Sequence, residues 1–230
     1  MQRLPEPIQD LARLLSQRLP GREAQLRMAH AARARGDLHM RADVRPAAVL
    51  ILLYPRDDQW HTVLIERRHV PGDRHAGQIS FPGGRQEPGE TLYQTALREG
   101  QEEIAAPPEQ IARVGALTAL HIPVSNYLVH PFVGFSPRPH IFIPQPSEVA
   151  RIIEVPLTTL TNPSTRTLRQ INLPNGTVLE DVPCFVFDEH LIWGATAMII
   201  SEFLSVIDAH PTLPHAPLQS TRQGRYPGPG

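Results

Sequence analysis

Apolar residues recur along this chain at two spacings. Leu11, Leu14, Leu15 and Leu19, then Leu26, Met28 and Ala29, fall at roughly helical intervals. Pro20-Gly21 interrupts them, which predicts two short amphipathic helices within residues 1–45, packed on the rest of the chain. Residues 47–54 (AAVLILLY) then form the continuous apolar run of a buried strand, and residues 62–67 (TVLIER) its partner. A short strand is predicted at 78–81, leading into Pro82-Gly83-Gly84, and a helix from Glu90 to about Ile104. Strands are predicted at 112–120 and 128–135, and a short strand or turn followed by a helical turn within 151–160. Residues 167–173 and 184–187 also read as strands, with Asn175-Gly176 as a hairpin turn between Ile171 and Val178. Residues 194–209 read as a second long helix, and the Pro/Gly-rich stretch from 211 onward as a flexible tail. Strands and helices thus alternate around one core, the pattern of an α/β fold with a mixed sheet. The organisation expected is a helical N-terminal extension (1–45), one domain (46–210) and a tail (211–230).

Composition narrows the function. The 230 residues carry a formal net charge of −1, which points away from nucleic acid and from a basic membrane-surface role. No run of eighteen apolar residues predicts a transmembrane helix. The first twenty residues do not read as a secretory signal. The single cysteine, Cys184, excludes an internal disulfide and suits a reducing cytoplasm; within a predicted strand it reads as buried and inert. All 22 basic residues are arginine. That removes a Walker-type phosphate lysine and Schiff-base chemistry, so phosphate gripping falls to arginine, backbone amides or metal. His121 and His130 do not stand at a zinc spacing, and neither a Gly-x-Ser-x-Gly elbow nor a dinucleotide-binding glycine fingerprint is present.

The informative stretch is 83–106, GGRQEPGETLYQTALREGQEEIAA, a glycine loop followed by a helix loaded with acids. Thr91 and Gln94 have capping-box spacing, which starts the helix at Thr91. At about 100° per residue, Glu99, Glu102 and Glu103 fall within about 100° of one another. Tyr93, Ala96, Leu97, Gly100 and Ile104 fall on a different face, suited to packing on a sheet. Like charges at i, i+4 repel, and a hard divalent cation held by carboxylate oxygens offsets that repulsion. Arg98 can pair with one carboxylate and orient it.

These residues resemble the Nudix box, G-x5-E-x7-R-E-U-x-E-E-x-G-U, with U a bulky aliphatic residue. Gly84, Glu90, Arg98, Glu99, Glu102 and Glu103 occupy its six strongest positions, a coincidence expected in roughly one window in 10⁷ at ordinary residue abundances. Gly100, Ala105 and Ala106 depart from it, and none of these removes an acid. The resemblance implies a Nudix-type α/β/α sandwich with a loop-helix-loop catalytic motif. It also implies a magnesium- or manganese-dependent hydrolysis of a diphosphate. By the same resemblance Glu99 and Glu103 are direct metal ligands, and Glu102 a ligand or part of the base machinery. Glu90 and Arg98 orient the cluster. Glu148 is the candidate base from outside the box.

Residues 64–84 (LIERRHVPGDRHAGQISFPGG) resemble the signature of coenzyme A diphosphatases at Leu64, Arg68, Gly77, Phe81, Pro82, Gly83 and Gly84. His75-Ala76-Gly77-Gln78 and Gly194-Ala195-Thr196-Ala197 are similar to that branch as well. The likeness covers about residues 47–208. It implies cleavage of coenzyme A or acyl-coenzyme A to 3′,5′-ADP and (acyl-)4′-phosphopantetheine. Arg67, Arg68 and Arg74 would form a phosphate patch, and Gly83 and Gly84 would line the substrate. Phe81 reads either as core or as a platform for a base. Glu66 and His69 replace the threonine and serine usual in the signature, and Asp73 replaces its second arginine, where a carboxylate would repel phosphate. ADP-ribose or a dinucleotide is therefore an alternative substrate, and a nucleotide sensor that binds without cleaving is another reading. The partner expected is a small molecule, and the chain a monomer or homodimer.

Overall fold

The computed structural model describes residues 4–35, 42–69, 77–173 and 175–208. Three short helices come first: α1 (Glu6–Leu15), α2 (Gly21–Leu26) and α3 (Ala31–Arg35). The patterning predicts two. The third is an Ala/Arg run of good helix formers without the apolar stripe that would reveal it. A hairpin follows, β1 (Arg45–Arg56) and β2 (Gln59–Arg67). Its two-residue turn, Asp57-Asp58, takes φ of 48° and 57°, as the tight hairpin turn requires. Then come β3 (Ile79–Ser80), β4 (Gly83–Arg85), α4 (Leu92–Ile104), β5 (Ala112–Ala116), β6 (Leu120–Ile122), β7 (Tyr127–Phe135), β8 (Val149–Pro156) and α5 (Leu157–Thr161). The chain continues through β9 (Arg166–Asn172), β10 (Val178–Phe187), β11 (His190–Trp193) and α6 (Gly194–Ile207).

Strands β1 to β8 make one sheet with the order β3-β2-β1-β7-β5, in which β4 also pairs with β1, β6 with β7 and β8 with β2. The β1–β7 pair is parallel and the others antiparallel, so the sheet is mixed. Alternation along β1 explains the layers. Ala47, Ile51 and Leu53 enter one core with residues of α1 and α6, while Ala48, Leu50, Leu52 and Tyr54 enter the other with Ala96 and Ile104 of α4. The fold is thus α/β, with helices on both faces of the sheet. β9–β10–β11 form a separate antiparallel sheet around Ile171, Val182 and Cys184. Burial pushes the Cys184 thiol up to about 11, which leaves it inert at neutral pH.

The helices of residues 1–35 are part of the first core. Ile8 and Leu11 are fully buried there. Glu202, buried on α6, accepts hydrogen bonds from Gly21 N (3.2 Å), Gln25 Nε2 (2.8 Å) and Thr118 N (3.2 Å), tying α2 and the β5–β6 link to α6.

Several boundaries differ from those the sequence predicts. The strand expected at 112–120 is two, β5 and β6. Opposite the break stands Pro131 of β7, which has no N–H to give; its carbonyl instead accepts from Leu117 N (2.9 Å). Residues 149–156 form a full strand against β2. The strand expected at 184–187 begins at Val178, and β11, unforeseen, returns from it after Asp188 at φ 49°. The strand expected at 78–81 shrinks to two residues, and β4 occupies the glycines that follow. The Asn175-Gly176 turn is present, with Gly176 at φ 82° and Thr177 N donating to Asn175 Oδ1 (3.1 Å).

Helix α4 ends at Ala105 in the left-handed conformation (φ 56°), a position that favours glycine. Ala105→Gly is expected to stabilise the fold by about 0.5–1 kcal/mol, the left-handed strain removed less the extra unfolded-state entropy. A urea midpoint equal to or below that of the parent chain would contradict this account.

Candidate active site

Helix α4 begins with the capping box that the sequence predicts. Thr91 Oγ1 accepts from Gln94 N (3.3 Å), and Gln94 Oε1 accepts from Thr91 N (2.8 Å). Gly100 lets the helix lie close on β1, since a Cβ there would stand 2.9 Å from Leu50 Cδ2. The acids therefore project beside β4.

Arg98 organises the outer part of the cluster. Its Nε and Nη2 donate to the two Glu90 oxygens (both 3.1 Å), its Nη1 reaches Glu99 Oε1 (3.0 Å) and Glu102 Oε2 (2.9 Å), and Nη2 also donates to the Arg85 carbonyl (3.1 Å). Glu90 is held further by Thr95 Oγ1 (2.8 Å) and Glu87 N (2.7 Å). These partners, Arg98 foremost, hold the Glu90 carboxyl down to about 2. A carboxyl whose folded value is depressed contributes stability that is present above its unfolded value, near pH 4.3, and is lost as pH falls through about 2. Glu90→Gln is accordingly expected to lower the urea midpoint at pH 7, with the gap to the parent chain closing towards pH 2. A gap of constant size would remove Glu90 from this role.

The inner carboxylates meet the glycine strand. Glu103 is 1% exposed, and its Oε2 accepts from Gly83 N (2.8 Å). Burial pushes its carboxyl up to about 8, with Glu99 and Glu148 pushing the same way and the Gly83 amide and Arg67 opposing. Burial also raises Glu99, which Arg98 partly offsets and the charges of Glu102 and Glu148 reinforce. The Glu99 carboxylate lies on Gly84, where a Cβ would stand 2.3 Å from Oε1. At Gly83 a Cβ would meet backbone instead, the Ala48 carbonyl oxygen at 2.3 Å.

The structure brings Glu99, Glu103, Gly83 and Gly84 together, and places Glu148 and Arg67 near enough for their charges to act on Glu103. Glu148 comes from a segment laid on the end of α4, where Gln145 N donates to the Glu103 carbonyl (3.0 Å). Glu102 is more exposed, at 57% of its side chain, and turned to Arg98. Arg68 is exposed, with its N–H on the Glu148 carbonyl (2.7 Å). Phe81 is 3% exposed in the core shared by α1 and α6. Its ring packs there, which corrects its place among the substrate-binding candidates: no face is left for a base. Arg74 lies outside the described residues, as do Asp73 and His75. The sequence reading missed Thr95 and Gln145, which position Glu90 and the Glu148 segment; neither belongs to a motif.

Among the described residues, no three His, Cys, Asp or Glu side chains already form a coordination sphere. Magnesium does not require one. It keeps several waters and is held by one or two carboxylates together with substrate phosphates. Glu99 and Glu103, one helical turn apart and both with a carboxyl raised chiefly by burial, fit an oxygen-ligated divalent cation. A cavity of about 380 Å³ beside Met28, Arg166 and Ser201 lies away from these acids.

The NUDIX domain matches residues 44–173, a span that contains every residue of this cluster. The chain belongs to the Nudix family. The Nudix hydrolase NudL of Photorhabdus laumondii is 35% identical over 159 residues, 69% of this chain and 82% of that protein. The same-named protein of Yersinia pestis (strain Pestoides F) is 36% identical over 157 residues, 68% of this chain and 76% of that protein. The MutT/nudix family protein from Enterococcus faecalis aligns over 84% of this chain and 76% of its own, at 18% identity and a TM-score of 0.46. As a Nudix hydrolase the chain cleaves the diphosphate bond of a nucleoside diphosphate derivative, in a family that generally uses divalent cations such as magnesium or manganese. No described helix is long and apolar enough to cross a membrane.

Proposed function

We propose that this Nudix hydrolase cleaves coenzyme A or acyl-coenzyme A to 3′,5′-ADP and (acyl-)4′-phosphopantetheine. The observation that carries the reading is the signature at Leu64, Arg68, Gly77 and Phe81–Gly84. It runs along β2 and returns through β3 and β4 to the glycines on which the α4 carboxylates rest. Magnesium or manganese, when bound, neutralises the diphosphate and makes water a better nucleophile. Glu99 and Glu103 are its proposed ligands, with Glu102 available as a third. Arg98 and Glu90 fix the orientation of that helix face. Water attacks one phosphorus, the bond from that phosphorus to the bridging oxygen breaks, and Glu148 is the proposed acceptor of the proton that water loses. Arg67 and Arg68, with Arg74, supply positive charge for the phosphates. Gly83 and Gly84 remain proposed substrate-lining positions, and their missing side chains make room for the Ala48 backbone and the Glu99 carboxylate.

The second reading, ADP-ribose or a dinucleotide, is favoured by Asp73, which puts a carboxylate where the signature has arginine. A substrate panel analysed by mass spectrometry separates the two. It contains coenzyme A, acyl-coenzyme A, ADP-ribose, NADH and diadenosine polyphosphates, each with magnesium and then manganese. Preferred release of 3′,5′-ADP and phosphopantetheine is the expected result. Preference for another diphosphate would retain the carboxylate chemistry and discard coenzyme A.

A further inference from the structure

Side chains of β2 alternate between the two faces of the main sheet. Trp60 and Leu64 enter the core of α1 and α6, whereas Val63 and Ile65 enter that of α4. Arg67, two residues on from Ile65, continues the second row, and its charge acts on Glu103. Register carries the same assignment to the edge strand β3. Ser80 pairs with Ile65 and so shares the α4 face, while Ile79 and Phe81 turn into the opposite core. Ser80 is thereby the diagonal neighbour of Arg67, at about 7–8 Å between Cα atoms. Three residues of chain, at most about 10 Å, separate it from Gly83, whose amide donates to Glu103.

A bulge pins that register. Gly77 N donates to the Arg67 carbonyl and Arg67 N to the Gln78 carbonyl (both 3.0 Å), with Gly77 at φ 71°. Two residues thus oppose one, and glycine takes the left-handed position that this kind of bulge requires. A Cβ at Gly77 would also strike the His69 ring. A slip of one residue would swing Ser80 to the far face.

Ser80 is half-buried, and its hydroxyl has no hydrogen-bond partner among the described residues. It stands between the Arg67 guanidinium and the glycines on which Glu99 and Glu103 rest. Those carboxylates repel a diphosphate, whereas a neutral O–H donates to one, and a hydrogen bond to an ionised acceptor is among the stronger kinds.

We propose that Ser80 is a substrate-binding residue, its hydroxyl donating to a non-bridging oxygen of the diphosphate beside Arg67. The proposal rests on the diphosphate hydrolase reading and is indifferent to the groups that the diphosphate carries.

The test is isothermal titration calorimetry of the full chain in magnesium chloride with α,β-methylene-ADP, whose bridge resists hydrolysis. Steady-state rates on coenzyme A and on ADP-ribose are measured beside it. Ser80→Ala is expected to weaken binding of the analogue about tenfold and to raise KM by a similar factor, while kcat stays within about threefold and the urea midpoint is level. Ser80→Thr keeps the hydroxyl on a residue suited to a strand, and is expected to restore both. Binding and KM within about twofold of the parent chain in Ser80→Ala overturn the proposal. So do a loss that threonine leaves unrepaired, a fall in the urea midpoint of Ser80→Ala, and failure of the parent chain to bind the analogue. Because binding of the analogue needs no turnover, a chain that binds it through Ser80 yet hydrolyses neither substrate loses only the substrate assignment.

Discussion

Glu103→Gln is expected to lower kcat by about a thousandfold while the urea midpoint of the metal-free protein stays level or rises. The two halves of that expectation have separate causes. Glutamine keeps a carbonyl oxygen that can accept the Gly83 amide, so the contact between α4 and β4 survives. It also removes a carboxylate whose ionised form is disfavoured by burial and by Glu99 and Glu148, and that loss does not weaken the fold. The same substitution removes an anionic oxygen from the proposed cation site. Steady-state rates over a magnesium titration, set beside urea melts, measure both. Turnover within tenfold of the parent chain would take Glu103 out of the ligand set. A collapse in stability would mean that its carboxylate is needed by the fold itself.

Gly84→Ala is expected to reduce kcat/KM by about a hundredfold at nearly unchanged stability, because displacing a reacting group by about an ångström suffices for that loss. Gly84 does not have the left-handed backbone that would exclude alanine. The new Cβ would stand 2.3 Å from Glu99 Oε1 and 2.5 Å from its Cδ, so the carboxylate must swing away. It is the tip of a flexible side chain, which keeps the folding cost small. Gly83→Ala would be a different experiment, since its Cβ meets the Ala48 backbone and distorts the sheet. If Gly84→Ala retained full activity with cobalt or manganese as well as magnesium, the position of Glu99 on that strand would be irrelevant to the reaction.

Much of this site was legible in the chain because its information is local. Thr91 and Gln94 cap α4 across a single turn, and the spacing of Arg98, Glu99, Glu102 and Glu103 puts them on one face of any helix. The apolar run of β1 and the Asn175-Gly176 turn were equally readable, since periodicity and turn chemistry act over a few residues. Which partner covers each surface was not readable. The Gly83 amide finds Glu103 twenty residues away. Gln145 brings the Glu148 segment onto the end of α4, and Glu202 gathers Gly21, Gln25 and Thr118 into the opposite core. Phe81 shows the limit well: its aromatic side chain beside the glycines suits a platform for a base, yet the alternation of the sheet turns it into the α1/α6 core. The sequence by itself determined the helix, its acids and the chemistry they imply. Only the tertiary structure decided which of those acids are buried, which are held by Arg98 and which residues close the site around them. Hydrophobic patterning records how exposed a position will be, whereas its neighbours are set by packing between segments far apart in the chain.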